Sequence, residues 1–195
     1  RQRQMCIRDR LGFSKLSEEY DVIQPLALGG ITYGVSDLEL TAAYAAIADG
    51  GQYRKPVFYT KVTDSKGNVL IDNTENKATQ VFKASTASLL TNAMEDVLEK
   101  GTGVAARLDN MHAAGKTGTT NEAKDLVFAG FTPYYTAAIW ATYDTHAEFP
   151  ESDREFHKRL WAKVMNEIHE GLADMDFETS ATVQEATICT KTGLL

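Results

Sequence analysis

The stretch Lys116-Thr117-Gly118-Thr119-Thr120 combines a cation, hydroxyl groups and a glycine at the end of a predicted β-strand. A lysine ammonium supplies fixed positive charge for a substrate carboxylate and for a proton-transfer network. Threonine hydroxyls can donate hydrogen bonds to the same carboxylate. Gly118 has no side chain, so an extended peptide could approach the strand edge and pair with it. The backbone N–H of Thr119 could point at a developing oxyanion, which suits this stretch to acyl chemistry.

The tripeptide Lys-Thr-Gly is weak evidence when taken alone. From average residue usage it arises by chance in on the order of one in twenty-five chains of this length. A second copy stands at Lys191-Thr192-Gly193. The alternative interpretation of Lys116 is a solvated lysine at a strand end beside a turn. The surrounding elements and sequence blocks must therefore decide between the two.

Composition and charge narrow the classes of partner. The chain has 195 residues, a formal net charge of −7 and a pI near 5.1. Nucleic acid is excluded as a default partner, because phosphate binding needs clustered Lys and Arg. The longest apolar stretches are well short of the roughly 20 residues that a membrane helix needs, so no span is expected here. The two cysteines, Cys6 and Cys189, lack the spacing of a zinc site or a redox pair.

Three helices are predicted from caps and apolar spacing. The first begins at the capping box Ser36-Asp37-Leu38-Glu39 and ends at Gly50-Gly51. The second runs from about Ser85 to Lys100 and the third follows a further capping box, Ser152 to Glu155. The residues expected to face inward are Leu38, Ala42, Ala45 and Ala46 in the first helix, Leu89, Leu90, Ala93, Met94 and Val97 in the second, and Phe156, Leu160, Trp161, Val164, Met165 and Ile168 in the third.

Strand signals lie between these helices. Val57 to Val62 and Val69 to Asp72 flank a polar turn and predict a hairpin. His112 to Thr119, Asp125 to Phe131 and Tyr135 to Tyr143 predict a three-stranded antiparallel meander. Helices before and after a meander indicate an α+β layer architecture. Within it we interpret His112 as a surface histidine, Trp140 as a core residue and Asp125 as a turn aspartate or an indirect support of the motif.

Three blocks carry a resemblance to a known family. They are Leu28 to Pro56 (LGGITYGVSDLELTAAYAAIADGGQYRKP), Gly101-Thr102-Gly103, and the stretch AAGKTGTTNEAKDLVFAGFTPYYTAAIW that ends at Trp140. In order and spacing they resemble the transpeptidase domain of class A penicillin-binding proteins, and the resemblance covers Leu11 to Leu195. It implies the fold shared with serine β-lactamases, an antiparallel sheet flanked by helices, incomplete here at the N-terminal side.

The resemblance also implies the site. The family uses Ser-x-x-Lys, Ser-x-Asn and Lys-Thr-Gly motifs. Lys116, Thr117 and Gly118 match the third, and Thr119 by the same resemblance supplies an oxyanion N–H and a hydroxyl for the donor peptide's carboxylate. No serine has lysine three residues on or asparagine two residues on, so both other motifs are expected upstream. Val127 stands where the family usually has tryptophan, and Thr142 replaces a common glycine.

The implied function is a serine-type D,D-transpeptidase of peptidoglycan cross-linking. It would act on peptidoglycan stem peptides, be acylated by β-lactams and need no metal or organic cofactor. An upstream glycosyltransferase domain and an anchor outside this segment would place it on the extracytoplasmic face of the cell membrane. The alternatives are a D,D-carboxypeptidase or β-lactamase on the same fold, or a non-catalytic domain that binds peptidoglycan or β-lactams.

The domain organisation is predicted in three parts. Residues 1–10 (RQRQMCIRDR) have no helical or strand period and resemble translated sequencing-adaptor sequence, so we interpret them as non-native. Residues 11–172 are expected to be the C-terminal part of the transpeptidase domain. Residues 173–195 are expected to be a truncated tail, whose Lys191-Thr192-Gly193 is not an active-site strand. Without the nucleophilic serine, we expect this chain alone to be inactive.

Overall fold

The computed structural model describes residues 9–17, 19–21, 24–187, 189 and 191–192. Its helices and strands are α1 (Asp37–Ala48), β1 (Gln52–Tyr53), β2 (Lys61–Thr63), β3 (Val69–Asp72), β4 (Thr79–Gln80), α2 (Ala84–Glu99), β5 (Ala114–Thr119), β6 (Asp125–Phe131), β7 (Thr136–Thr142) and α3 (Phe156–Ile168). Cys6 and Gly193 lie outside the described residues. None of the described helices is long and apolar enough to cross a bilayer.

The three longest strands form one antiparallel sheet in the order β5-β6-β7. Each strand pairs with the next along the chain, with Gly118 opposite Val127 and Val127 opposite Trp140. The predicted meander is therefore confirmed. The predicted hairpin is also confirmed as β2 paired with β3, although its first strand is shorter than expected, and β1 pairs with β4 in a separate two-stranded sheet.

Helices cover both faces of the central sheet. Because successive side chains of a strand point to opposite faces, Phe128 and Phe131 of β6 lie on different sides. Phe131 packs with Ile47 of α1 and Met94 of α2. Phe128 packs edge-on against Trp161 of α3, with ring centroids 5.0 Å apart. This helix–sheet–helix layering confirms the α+β prediction and leaves β5 as an end strand of the sheet.

The start of α1 confirms its predicted capping box. The Glu39 N–H donates to Ser36 Oγ at 3.2 Å, and the Ser36 N–H donates to Glu39 Oε2 at 3.0 Å. Burial acts to raise the pKa of Glu39, but the hydrogen bonds from Ser36 and Ser14 outweigh it and lower that pKa to about 2. Small residues then face the core, listed as Ala42, Ala43, Ala46 and Ile47, while Leu38 is exposed.

The inward face predicted for α2 is confirmed at Met94, which is buried, and at Val97, which packs against the core, but it is wrong at the other three residues. Leu89 and Leu90 are 60% and 41% exposed, and Ala93 is also exposed. The buried residues are Ala87, Thr91, Met94 and Leu98. These four residues recur at helical spacing. The first two, Ala87 and Thr91, have small side chains, which lets the first half of α2 approach its neighbours closely.

The start predicted for α3 is also wrong, and of its predicted inward residues only Trp161 and Met165 are buried. Ser152 lies in a single 3-10 turn, Glu151–Asp153, and the helix begins after Glu155 without a side-chain cap. The predicted stripe Phe156, Leu160, Val164 and Ile168 is 41–46% exposed. Trp161 determines the orientation instead, because Gly130 leaves a slot for its ring. A Cβ at Gly130 would lie 2.8 Å from Trp161 Cζ2.

The described residues after Leu172 (173–187, 189 and 191–192) lack regular secondary structure, but several of them pack on the sheet and on α2. The Phe177 ring lies edge-on to Phe131 with centroids 5.4 Å apart. The Ser180 N–H donates to Ser88 Oγ at 2.9 Å. The first part of this segment therefore contributes to the core around Phe131.

Candidate active site

The hydrogen-bond register of β5 determines which backbone groups of the motif are free. The Thr120 N–H donates to the Asp125 carbonyl at 3.2 Å. In an antiparallel ladder, pairs that exchange hydrogen bonds alternate with pairs that do not. The register therefore turns the N–H and C=O of Lys116 and Gly118 towards β6, and those of Thr117 and Thr119 towards the opposite edge. Among the described residues no strand pairs with that edge.

The Lys116 side chain lies along this open edge. Its Nζ donates to the Thr117 carbonyl at 2.9 Å and to Thr117 Oγ1 at 3.2 Å. The contact agrees with the register, because it requires the Thr117 carbonyl to point away from β6. The structure thus brings the predicted residues Lys116, Thr117, Gly118 and Thr119 together along one strand edge, with the ammonium beside the free backbone groups.

The two glycines of β5 differ in what surrounds them. A Cβ at Gly115 would lie 2.7 Å from Phe128 Cζ and 2.9 Å from the Ala129 carbonyl oxygen, so packing against β6 requires glycine there. A Cβ at Gly118 would meet only Val127 Cβ, at an ordinary contact distance of 3.4 Å. The fold of the described residues therefore does not require glycine at 118. Its missing side chain leaves room for a ligand.

A threonine outside the motif contacts it directly. Thr102, in the Gly101–Gly103 loop after α2, places its Oγ1 2.8 Å from Thr117 Oγ1. Lys158 of α3 donates from Nζ to the Thr102 carbonyl at 3.2 Å. In the sequence analysis the Gly-Thr-Gly block was noted only as part of the resemblance to the family. Lys158 was not predicted as a site residue, because nothing in its sequence context distinguishes it from other lysines of a helix.

Asp125 supports the turn after the motif and does not contact Lys116. Its N–H donates to Thr120 Oγ1 at 2.8 Å, and its carboxylate accepts from Thr120 Oγ1 at 3.1 Å and from Trp140 Nε1 at 3.0 Å. Trp140 is 57% exposed, so its interpretation as a core residue is wrong. Asp125 thus holds the indole on β7, two strands away from Gly118.

The remaining candidates lie apart from this edge. His112 precedes β5 and faces three carboxylates, with Glu95 at 3.8 Å, Asp174 at 3.6 Å and Asp176 at 3.2 Å. His112 stands seven positions before Thr119, a distance of about 23 Å in extended chain. Lys191 and Thr192 of the second copy lie outside any strand. In the described part of the chain, no group of three or more His, Cys, Asp or Glu side chains could hold a metal.

Comparison with known proteins identifies the family of the chain. Residues 14–170 match the penicillin binding protein transpeptidase domain. Penicillin-binding protein 1A of Clostridium perfringens is 34% identical over 166 residues, which cover 85% of this chain and 19% of the relative. Penicillin-binding protein 4 of Bacillus subtilis is 41% identical over 133 residues, covering 68% of this chain and 21% of the relative. The chain thus spans about a fifth of the length of these relatives.

The fold is likewise similar to that of a solved structure. The PonA1 protein of Mycobacterium tuberculosis, determined in complex with penicillin V, superposes with a TM-score of 0.76 at 24% identity over 89% of this chain and 51% of that one. At this identity the likeness bears on the fold alone. The match over residues 14–170 bears on the family. The chain belongs to the transpeptidase domain family of the penicillin-binding proteins.

Proposed function

We propose that this chain forms the Lys-Thr-Gly side of a transpeptidase active site in a longer penicillin-binding protein. The observation that carries the proposal is the open edge of β5. There the backbone groups of Thr117 and Thr119 are unpaired by any described strand, and the Lys116 ammonium lies beside them. An extended stem peptide can add to such an edge as a further strand.

The reaction is acyl transfer through a serine outside this chain. The serine Oγ attacks the penultimate D-alanine carbonyl of a stem peptide, forming an ester while the amide C–N bond breaks and D-alanine leaves with the proton. An amine of a neighbouring strand then takes the acyl group and releases the serine. A β-lactam acylates the same serine by opening its ring.

The residues of β5 take separate roles in that reaction. The Thr119 N–H donates to the oxyanion that develops on the attacked carbonyl. The Lys116 ammonium and the hydroxyls of Thr117 and Thr119 bind the terminal carboxylate of the donor peptide. Gly118 leaves space for the peptide backbone. These roles need no metal or organic cofactor.

The setting of the parent protein belongs to the same proposal. Residues 11–172 are part of its transpeptidase domain and residues 173–195 follow as a tail, whereas residues 1–10 are not native to it. A glycosyltransferase domain and a membrane anchor stand outside this chain and place the site on the extracytoplasmic face of the membrane. This chain alone is inactive, since none of its serines has the Ser-x-x-Lys partner.

The test is labelling with a fluorescent penicillin followed by intact-mass measurement. We expect no covalent adduct on the 195-residue chain after its cooperative unfolding has been checked, and a stoichiometric adduct on the parent protein. An adduct on a serine of this chain would refute the assignment of the nucleophile. A donor stem peptide and an amine acceptor then separate the functions: cross-linked product supports the transpeptidase, hydrolysis alone indicates a carboxypeptidase or β-lactamase, and no turnover indicates a binding domain.

A further inference from the structure

Lys158 is an unusually buried lysine on α3. Its side chain is 10% exposed, and lysine is almost never buried unless its charge is paired. Nζ donates to Glu155 Oε1 at 2.9 Å and to the Thr102 carbonyl at 3.2 Å. The hydrogen bond and the charge of Lys158 lower the pKa of Glu155, so this partner stays ionised at neutral pH. The ammonium is therefore fixed between its own helix and the loop after α2.

The loop that receives this hydrogen bond is held through the peptide unit between Thr102 and Gly103, because both its N–H and its carbonyl are bonded. Thr102 stands between Gly101 and Gly103, the residue type with the greatest backbone freedom. The Gly103 N–H donates to the Val97 carbonyl at 2.9 Å, which holds one side of the loop to α2. The Thr102 side chain itself is exposed to solvent. The hydrogen bond from Lys158 holds the carbonyl end of this peptide unit, which is the end next to the Thr102 side chain.

From Thr102 the contacts continue into the motif. Thr102 Oγ1 lies 2.8 Å from Thr117 Oγ1, and Lys116 Nζ donates to the same Thr117 oxygen at 3.2 Å. A threonine hydroxyl has one proton and two lone pairs. When Thr102 donates and Lys116 donates, both acceptor positions of Thr117 Oγ1 are used. The Thr117 proton is then left to donate to a third group, beside the open edge of β5.

We propose that Lys158 is a positioning residue, which through Thr102 orients the Thr117 hydroxyl as a hydrogen-bond donor to the carboxylate of the incoming peptide or β-lactam. This rests on the proposed function, because it assumes that a carboxylate binds at the β5 edge. Lys158 does not touch the substrate. It acts on the affinity for the carboxylate and leaves the oxyanion donor, the Thr119 N–H, in place.

The test uses the parent protein and two β-lactams, one with its carboxylate free and one with it blocked as a methyl ester. Lys158→Met keeps an unbranched side chain of nearly the same length and removes the ammonium group. We expect it to weaken the pre-acylation complex with the free acid about tenfold, the scale of one hydrogen bond, with the limiting acylation rate nearly unchanged. The methyl ester offers no carboxylate, so the substitution should not change the affinity of its pre-acylation complex. Lys163→Met, on the exposed side of the same helix, is the matched control and should leave both probes unchanged.

A second variant separates positioning from stability. Thr102→Val keeps the carbonyl that pairs with Lys158 and removes the hydroxyl that reaches Thr117, so it should reproduce the loss for the free acid without a change in unfolding free energy. Lys158→Met added to Thr102→Val should have no further effect on binding. Equal losses for acid and ester, additive losses in the double variant, or no loss in either single variant would overturn the proposal. Failure of the unsubstituted parent to be acylated would instead refute the proposed function.

Discussion

The two glycines of β5 allow folding and ligand binding to be tested separately. Gly115→Ala places a Cβ 2.7 Å from Phe128 Cζ and 2.9 Å from a carbonyl oxygen of β6, where neither group can move freely. Overpacking of this kind costs about 1–3 kcal/mol. At about 2–4 °C per kcal/mol for a chain of this size, the melting temperature should fall clearly.

Gly118→Ala should behave in the opposite way. Its Cβ meets only Val127 Cβ at 3.4 Å, and alanine reduces the freedom of the unfolded chain, which stabilises by about 0.4–1 kcal/mol where the backbone permits. Its effect should fall on binding, because the new methyl group stands where an extended ligand approaches. Loss of two edge hydrogen bonds of about 1 kcal/mol each corresponds to about 30-fold slower acylation.

The assay measures thermal unfolding, urea unfolding and the second-order rate of acylation by a fluorescent penicillin in the parent protein. We expect Gly118→Ala to keep its stability but to be acylated more slowly. Gly115→Ala should be less stable, and its acylation rate should fall only in proportion to the fraction of protein that is unfolded. Acylation of Gly118→Ala at the wild-type rate would refute the role given to that glycine. A loss of stability in Gly118→Ala equal to that in Gly115→Ala would refute the packing argument.

Three further predictions follow from the site and the core. Lys116→Ala should greatly lower acylation while Lys191→Ala leaves it nearly unchanged, and equal losses in a labelling time course would contradict the choice of motif. Thr119→Val keeps the backbone N–H and should cost about tenfold in acylation, whereas a fall of about 10²–10³ would mean that an oxyanion donor had been lost. Burial, together with the nearby Lys158 charge, lowers the pKa of His157 from 6.5 to about 4. The unfolded chain therefore binds this proton first, and as pH falls from 6.5 to 4 the wild type should lose up to about 3 kcal/mol more unfolding free energy than His157→Leu in urea melts.

The sequence predicted caps and strand pairing correctly where the two partners lie close together in the chain. The capping box of α1 is such a case, because Ser36 and Glu39 satisfy each other within one turn. The meander was equally readable, since its three strands follow one another with short turns. Ser152 shows the limit of the same pattern, because a 3-10 turn precedes α3 and delays its start to Phe156.

The misread features depend on residues distant in sequence. The orientation of α3 follows from the slot that Gly130 leaves for Trp161, and apolar spacing within the helix carries no information about it. Lys158 is buried because a loop 56 positions earlier brings a carbonyl oxygen to its ammonium. Trp140 is exposed because Asp125 of the neighbouring strand holds its indole. In each case the tertiary partner, and not the local pattern, determines burial.

A residue of the motif itself, Lys116, protects the open edge of β5. An unpaired strand edge invites pairing with other chains, and proteins commonly protect such edges with lysine. Lys116 does so here by donating to the Thr117 carbonyl at 2.9 Å. A neutral strand that displaced it would leave the ammonium without that acceptor. A peptide that ends in a carboxylate offers the ammonium a stronger, charged acceptor in exchange. Within the proposed function, the lysine that closes the edge to unrelated strands is therefore the group that selects a carboxylate-bearing donor.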